Sequence, residues 1–218
     1  MSGADLDRLA ATAIVITLRA GQSIIEEGGI ARHFFTLTSG TARLFKSLPD
    51  ARQQIVSFAG RGDLLGLAYG ARYTTGAEAV DEVRLCRFSR QGLHDLADAF
   101  PDLKRRLLSI TSNELVLAQE QMLLLGRKKA CERLASFLVM RAGRTGDSDA
   151  GTMARPAGGW VVSLPMRRVD IADYLGMTIE TVSRNLTLLK ARGLIGVNTL
   201  HQVAILDLPA LECLAAGQ

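Results

Sequence analysis

Cysteine, histidine and aromatic residues are scarce in this chain of 218 residues. Its three cysteines, Cys86, Cys131 and Cys213, are odd in number and far apart, which argues against a disulfide framework and fits a reducing cytoplasm. Histidines stand only at 33, 94 and 201, too few and too dispersed for a cupin-like metal centre. The most apolar run, Leu9 to Leu18, is broken by threonines and has no basic segment of the signal-peptide kind before it. It falls well short of the ~18 residues of a membrane span, so neither a span nor a signal peptide is expected. No nucleophile–base pair stands out, so the chain does not read as an enzyme.

What is present is a globular composition, 48% hydrophobic and 22% charged, on a chain long enough for one large domain or two modest ones. The net charge of +4 is small, but it is unevenly placed. Met1 to Gly126 carries 14 basic and 14 acidic residues, whereas Arg127 to Gln218 carries 12 and 8. The second half therefore holds the whole surplus.

The first hundred residues read as short strands punctuated by glycine. Ile24-Ile25 lies between Gly21 and Gly28-Gly29, Phe34 to Thr38 stops at Ser39-Gly40, and Thr41 to Phe45 follows. Gln54 to Phe58 is closed by Gly60-Arg61-Gly62-Asp63, and Ala79 to Phe88 alternates weakly. Such strands predict an antiparallel sandwich or roll whose glycines serve turn geometry. From Phe100 the period changes. Pro101 suits a first helical turn, and neither Pro nor Gly recurs before Gly126, giving about 40 Å of helix. Along it Leu108, Thr111, Leu115, Ala118, Met122 and Leu125 form a seam that is apolar or small throughout. A neighbouring seam from Leu107 to Leu124 is interrupted by Glu114 and Gln121. So wide a face suits pairing with a second copy of the helix; a core helix within one chain is the other reading.

Cys131 to Arg141 reads as an amphipathic helix, Arg141 to Gly159 as a loop, and Trp160 to Leu164 as a strand before Pro165. Met166 to Arg192 then has the pattern of a helix-turn-helix. Ala172 lets two helices cross closely, Gly176 permits the turn, and Val182 anchors the second helix. Ile171, Leu175 and Leu186 supply the buried side, and Thr178 is placed to cap the second helix. Glu180, Ser183 and Arg184 share its outer face near the end that enters a major groove. Asn185 departs from the pattern, standing where an apolar residue commonly supports the second helix. After the helix stop at Gly193, Leu194 to Val197 and Val203 to Leu206 look like a two-stranded wing. A protein-binding helical hairpin would share the spacing. A small-molecule-sensing β-roll whose helical end binds protein rather than DNA is therefore the alternative function.

Residues 171–184, Ile-Ala-Asp-Tyr-Leu-Gly-Met-Thr-Ile-Glu-Thr-Val-Ser-Arg, resemble the recognition motif of Crp–Fnr superfamily regulators of the FNR/FixK branch. Gly21-x-x-Ile24 with Glu27-Gly28, Ser39-Gly40-x-x-Arg43-Leu44 and Gly62-Asp63-x-x-Gly66 are similar to that family's β-roll turns. Leu123 to Leu134 is similar to the end of its dimer helix and the start of its DNA-binding domain. The resemblance implies an α+β fold: a β-roll over 1–99, a dimerisation helix over 100–126, and a winged helix-turn-helix over 127–218. It also implies a homodimer on double-stranded DNA, an activator's contact with RNA polymerase, and a palindrome of the TTGAT-N4-ATCAA type. Carried over, Glu180 would accept from a cytosine, Arg184 would bind guanine in bidentate fashion, and Ser183 would touch thymine or phosphate. Arg167, Arg168, Thr178, Lys190 and Arg192 would contact phosphate. The seam from Leu108 to Leu125 would meet the partner chain.

The sensory side departs from its relatives. Iron–sulfur members hold their cluster with a cysteine group near the N-terminus plus one later cysteine; Cys86 matches the later position, but no cysteine precedes it. Cyclic-nucleotide-binding members place a glutamate and an Arg-Ser pair where this chain has Leu67 and Thr75-Gly76. Haem would need an axial ligand, for which only the lone His33 and His94 are at hand. No cofactor and no metal are therefore expected, and Cys86 and Cys131 remain as candidates for oxidation.

Overall fold

The computed structural model describes residues 13–67, 70–146, 160–199 and 201–218. Residues 147–159, most of the loop expected after Arg141, lie outside these, as does the His94 side chain. The chain divides into two compact units, one ending at Gln119 and the other starting at Glu120.

The N-terminal unit holds eight strands in two antiparallel sheets: β1 (Ile14–Leu18), β2 (Ser23–Ile25), β3 (His33–Ser39), β4 (Ala42–Ser47), β5 (Gln53–Ala59), β6 (Leu64–Leu65), β7 (Gly76–Ala79) and β8 (Val83–Ser89). The sheet orders are β1-β8-β3-β6 and β2-β7-β4-β5, so each sheet interleaves early and late strands as a roll does. Its core is made of Phe35, Leu37, Leu65, Val83 and Leu85 with Ile25, Ala42 and Ala77.

Two details differ from the sequence expectation. Ala79 to Phe88 is not one strand. Residues 80–82 turn between β7 and β8, because the Asp81 carboxylate accepts from the Thr41 backbone N–H at 2.6 Å and Val80 N–H donates to Thr41 O at 2.8 Å. Within the apolar run that ends at Leu18, residues 14–18 form strand β1, paired with β8 so that Ile16 lies opposite Leu85.

Helix α1 (Arg90–Ala99) follows β8, its start marked by Ser89 Oγ accepting from Gly92 N–H at 3.0 Å. Helix α2 (Pro101–Arg127) matches the expected long helix closely. The boundary between the units falls inside it, so its last two turns belong to the C-terminal unit.

That unit continues with α3 (Ala130–Gly146), which runs five residues past Arg141 into the expected loop. Next come β9 (Trp160–Ser163), α4 (Arg168–Leu175), α5 (Ile179–Ala191), β10 (Ile195–Thr199), β11 (Gln202–Ile205) and α6 (Leu208–Ala215). The wing has three strands rather than two. Its order is β10-β11-β9, with Val203 opposite both Val197 and Val162. Helix α6 opens where Asp207 accepts from Ala210 N–H at 3.0 Å. Among the described residues no helix is long and apolar enough to cross a membrane.

Two turn glycines differ in a way that can be measured. Gly21 and Gly40 both adopt left-handed backbone, at φ 81° and 82°. A Cβ on Gly21 would meet open space, whereas one on Gly40 would collide with the Glu82 carbonyl and crowd Val83 Cα at 2.8 Å. Gly21→Ala should cost about 1 kcal/mol from backbone strain alone. Gly40→Ala should cost about 3 kcal/mol, because backbone cannot yield as a flexible side chain can. Chemical denaturation of the two variants checks this; equal losses would contradict the assigned clash.

Candidate nucleic-acid interface

The helix-turn-helix is built from local rules. Gly176 ends α4 in the left-handed conformation (φ 60°, ψ 47°), with its N–H and that of Met177 returning to Ala172 O. Only glycine adopts this geometry without strain. Thr178 then starts α5, its hydroxyl accepting from Thr181 N–H at 3.3 Å. Ile171, Ala172 and Leu175 on α4 and Val182, Leu186 and Leu189 on α5 are all buried. The i, i+4, i+7 spacing of the α5 set commits one face of that helix to the core.

The opposite face is therefore outside. Glu180, Ser183, Arg184 and Lys190 are exposed, and the structure brings the first three together at the N-terminal end of α5. Asn185 sits half-buried and is satisfied within the helix, its Nδ2 donating to Thr181 O at 2.8 Å. The departure from an apolar residue there leaves that donor paired. The Glu180 carboxyl is held below its ordinary value of 4.5. The causes, largest first, are its own backbone N–H, the Thr178 hydroxyl, and the charge of Arg184. An exposed carboxylate beside a helix start is thus ready to accept hydrogen bonds.

The flanking basic residues differ among themselves. Arg167 is exposed and held from behind by Asp170, a buried carboxylate that sequence reasoning passed over. Asp170 accepts from Arg167 N–H at 2.9 Å and from both Nε and Nη2 of the same guanidinium at 3.2 Å. The Arg-x-x-Asp spacing ahead of an apolar run was the available signal, a capping box with an acidic third position. Arg168 is half-buried; burial pushes its pKa down, and its Nη1 is enclosed with no protein acceptor. Arg192 caps α5 at its C-terminal end and is exposed. Cys131 feels Arg192, but burial is the larger effect and pushes the thiol pKa up. Its thiolate fraction is therefore lower than an ordinary cysteine's. Cys86 is half-buried in β8, between Val15 and Thr36 of the neighbouring strands.

Along α2 the expected seam separates into two parts. Leu108, Leu115 and Met122 are 64%, 61% and 66% exposed, and Thr111 and Ala118 are exposed with them. Val116, Leu117 and Leu123, outside the named seam, are exposed as well. Leu125 is half-buried instead, its Cδ2 within 3.2 Å of where a Gly176 Cβ would lie.

On the N-terminal unit, His33 is fixed through its main chain, whose N–H donates to the Tyr73 hydroxyl and whose carbonyl accepts from it. Burial and then Arg87 and Arg32 push its imidazole pKa down. Among the described residues no three His, Cys, Asp or Glu side chains cluster as metal ligands would.

Comparison with known proteins agrees in both units. Residues 132–214 match the family described as the Crp-like helix-turn-helix domain, and residues 15–100 match the cyclic nucleotide-binding domain. The transcriptional activatory protein AadR of Rhodopseudomonas palustris is 42% identical over 90% of this chain and 79% of its own length. The nitrogen fixation regulation protein FixK of Bradyrhizobium diazoefficiens is 38% identical over 91% of this chain and 80% of its own. Among solved structures, FixK2 from Bradyrhizobium japonicum superposes with a TM-score of 0.84 at 35% identity, covering 93% of this chain and 96% of that one. With this coverage and a helix-turn-helix built as described, the chain belongs to the FixK-like branch of the Crp–Fnr family of DNA-binding transcription regulators.

Proposed function

We propose that the chain works as a cytoplasmic homodimer that binds a TTGAT-N4-ATCAA-type palindrome and activates transcription by contacting RNA polymerase. The observation that carries this is the face of α5. Val182, Leu186 and Leu189 are buried, which leaves Glu180, Ser183 and Arg184 facing outward at the helix start. Glu180 accepts from cytosine N4, Arg184 donates to guanine O6 and N7, and Ser183 touches thymine or phosphate. Arg167, Arg168 and Thr178 flank this end, and Lys190 and Arg192 lie at the other end of α5; all five are assigned phosphate contacts that position without reading sequence. Relatives named as activators support the direction of regulation.

The dimer runs along α2. Leu108, Leu115 and Met122 expose more apolar surface than a lone helix usually leaves open. Burying each against a second copy contributes about 1.5–3 kcal/mol. Two recognition helices would then lie about 34 Å apart, one turn of DNA.

The roll is read as cofactor-free. A Cβ on Gly76 would come within 2.5 Å of Phe45 Cζ, so an aromatic ring fills the space beside the position where nucleotide-binding relatives hold phosphate. The nearby Arg43 is committed to Glu78 at 2.9 Å and lies over the Phe45 ring. These residues do not fit a cyclic nucleotide's phosphate, which needs a cationic fork.

Two measurements test the DNA reading. The protein should bind the palindromic duplex with nanomolar-range affinity and steep salt dependence, and Arg184→Ala should lose about 1–3 kcal/mol of guanine discrimination. Equal affinity for a scrambled duplex would refute it, and a retained small ligand without duplex binding would favour the sensing alternative. The second measurement concerns pH. A carboxyl whose pKa is depressed in the folded state stabilises that state above its unfolded value, and the effect disappears as pH falls through the folded value. Glu180 therefore stays ionised well below neutrality, and cytosine discrimination should be constant from about pH 8 to about pH 5.5. An NMR titration should place its midpoint below 4.5 in the wild type and closer to 4.5 in Thr178→Val. Discrimination that fades before about pH 5.5 would remove Glu180 from the base contact.

A further inference from the structure

Within the C-terminal unit, one arginine is used in a way that the DNA-facing surface does not explain. Arg133, in the first turn of α3, spreads its guanidinium over main-chain carbonyls that end two other helices. Nε donates to Lys128 O and Nη2 to Leu125 O, both at 2.9 Å. Nη1 donates to Leu175 O at 2.9 Å, with a longer contact to Gly176 O at 3.4 Å. The first two acceptors belong to the end of α2, the others to the end of α4 and the turn. Helix-terminal carbonyls lack intrahelical partners and carry the negative end of the helix dipole. A planar five-donor fork reaches acceptors on separate sides of the guanidinium, whereas a lysine presents its donors from a single nitrogen.

Other contacts act in the same place. Gln121 Nε2 donates to Tyr174 O at 2.8 Å. Leu124 is the buried residue of α2, and Leu125 packs where Gly176 has no side chain. At about 100° per residue, Gln121, Leu124 and Leu125 lie on one side of the last two turns of α2. Met122 and Leu123 lie on the other, 66% and 57% exposed. The same two turns are thus bonded to the helix-turn-helix on one side and apolar and open on the other.

We infer that Arg133 and Gln121 are positioning residues that determine which half-site spacing the dimer accepts. They hold α4, and through it α5, at a fixed offset from the open side of α2 where the second copy sits. The inference rests on the dimeric, palindrome-reading function proposed above. One added or removed base pair moves a half-site by about 3.4 Å and turns it by about 35°. A bonded clamp resists that displacement; a loosened one follows it.

The test uses the full chain as wild type, Arg133→Gln, Arg133→Lys and Gln121→Ala, on duplexes whose four-base-pair spacer is kept, shortened or lengthened by one. Wild type should prefer the native spacer by about tenfold or more, equivalent to 1.4 kcal/mol. In Arg133→Gln and Arg133→Lys that preference should shrink to within about twofold, and in Gln121→Ala it should fall part of the way. Discrimination at the guanine read by Arg184 should stay as in wild type, and sedimentation should still show dimers. Gln121→Ala removes a single hydrogen bond, so it carries the test if the Arg133 variants fail to fold. Spacer preference unchanged in the folded variants overturns the inference, as does its loss together with base discrimination. A wild type that binds duplex without spacer preference also overturns it. A wild type that binds no duplex overturns the DNA-binding reading and this one with it.

Discussion

Gly176 is the constraint on which the C-terminal unit depends. Its left-handed backbone turns the chain from α4 into α5, and its missing side chain leaves room for Leu125 from α2. Its carbonyl and that of Leu175 face the Arg133 guanidinium. Any L-residue there would be strained in φ and would also press on Leu125. Turn geometry, the seating of α2 and the capping of α4 therefore share one position. The Glu180–Arg184 face inherits its direction from it, because the α5 cap, Thr178, stands two residues later.

The parts of this fold that could be read in advance are those written in local spacing. Ala172, Gly176, Thr178 and Val182 each act within one or two helical turns, and all four play the roles their spacing suggested. The long helix is legible for the same reason, since the 24 positions between Pro101 and Gly126 lack both Pro and Gly, and the helix ends one residue past Gly126. What was not legible depends on partners far along the chain. The break between β7 and β8 is made by Asp81 reaching Thr41, forty positions earlier. Strand β9 joins the wing by pairing Trp160–Ser163 with Gln202–Ile205, some forty positions later. Helices α1 and α6 are a different case: Ser89 before Gly92 and Asp207 before Pro209 are ordinary start signals, short enough to be overlooked.

The candidate site divides along the same line. Exposure of Glu180, Ser183 and Arg184 follows from periodicity. Spacing alone places Leu125 on an outward seam, yet the half-buried residue packs beside Gly176, fifty-one positions away, while Val116, Leu117 and Leu123 are exposed outside that seam. A heptad-like pattern says which residues share a face. It does not say which of two faces is already covered by the same chain.

The basic surplus of the second half also acquires a different meaning. Arg133 bonds helix-end carbonyls, and Lys128 Nζ donates to Ser136 Oγ at 2.8 Å and to Ala215 O at 2.7 Å, closing the end of α6. Arg167 is braced by Asp170, whose own charge offsets it. A cation bonded to helix-end carbonyls is partly shielded from added salt, whereas one facing solvent is screened over a Debye length of about 8 Å under physiological conditions. The surplus thus serves two purposes with different salt sensitivity. Arg133 and Lys128 bond helix ends within the unit, whereas Arg184, Lys190 and Arg192 are exposed, where a contact with phosphate would depend strongly on ionic strength through counterion release. A modest net charge is consistent with a DNA-binding protein because charge at the surface that meets phosphate matters more than charge counted along the chain.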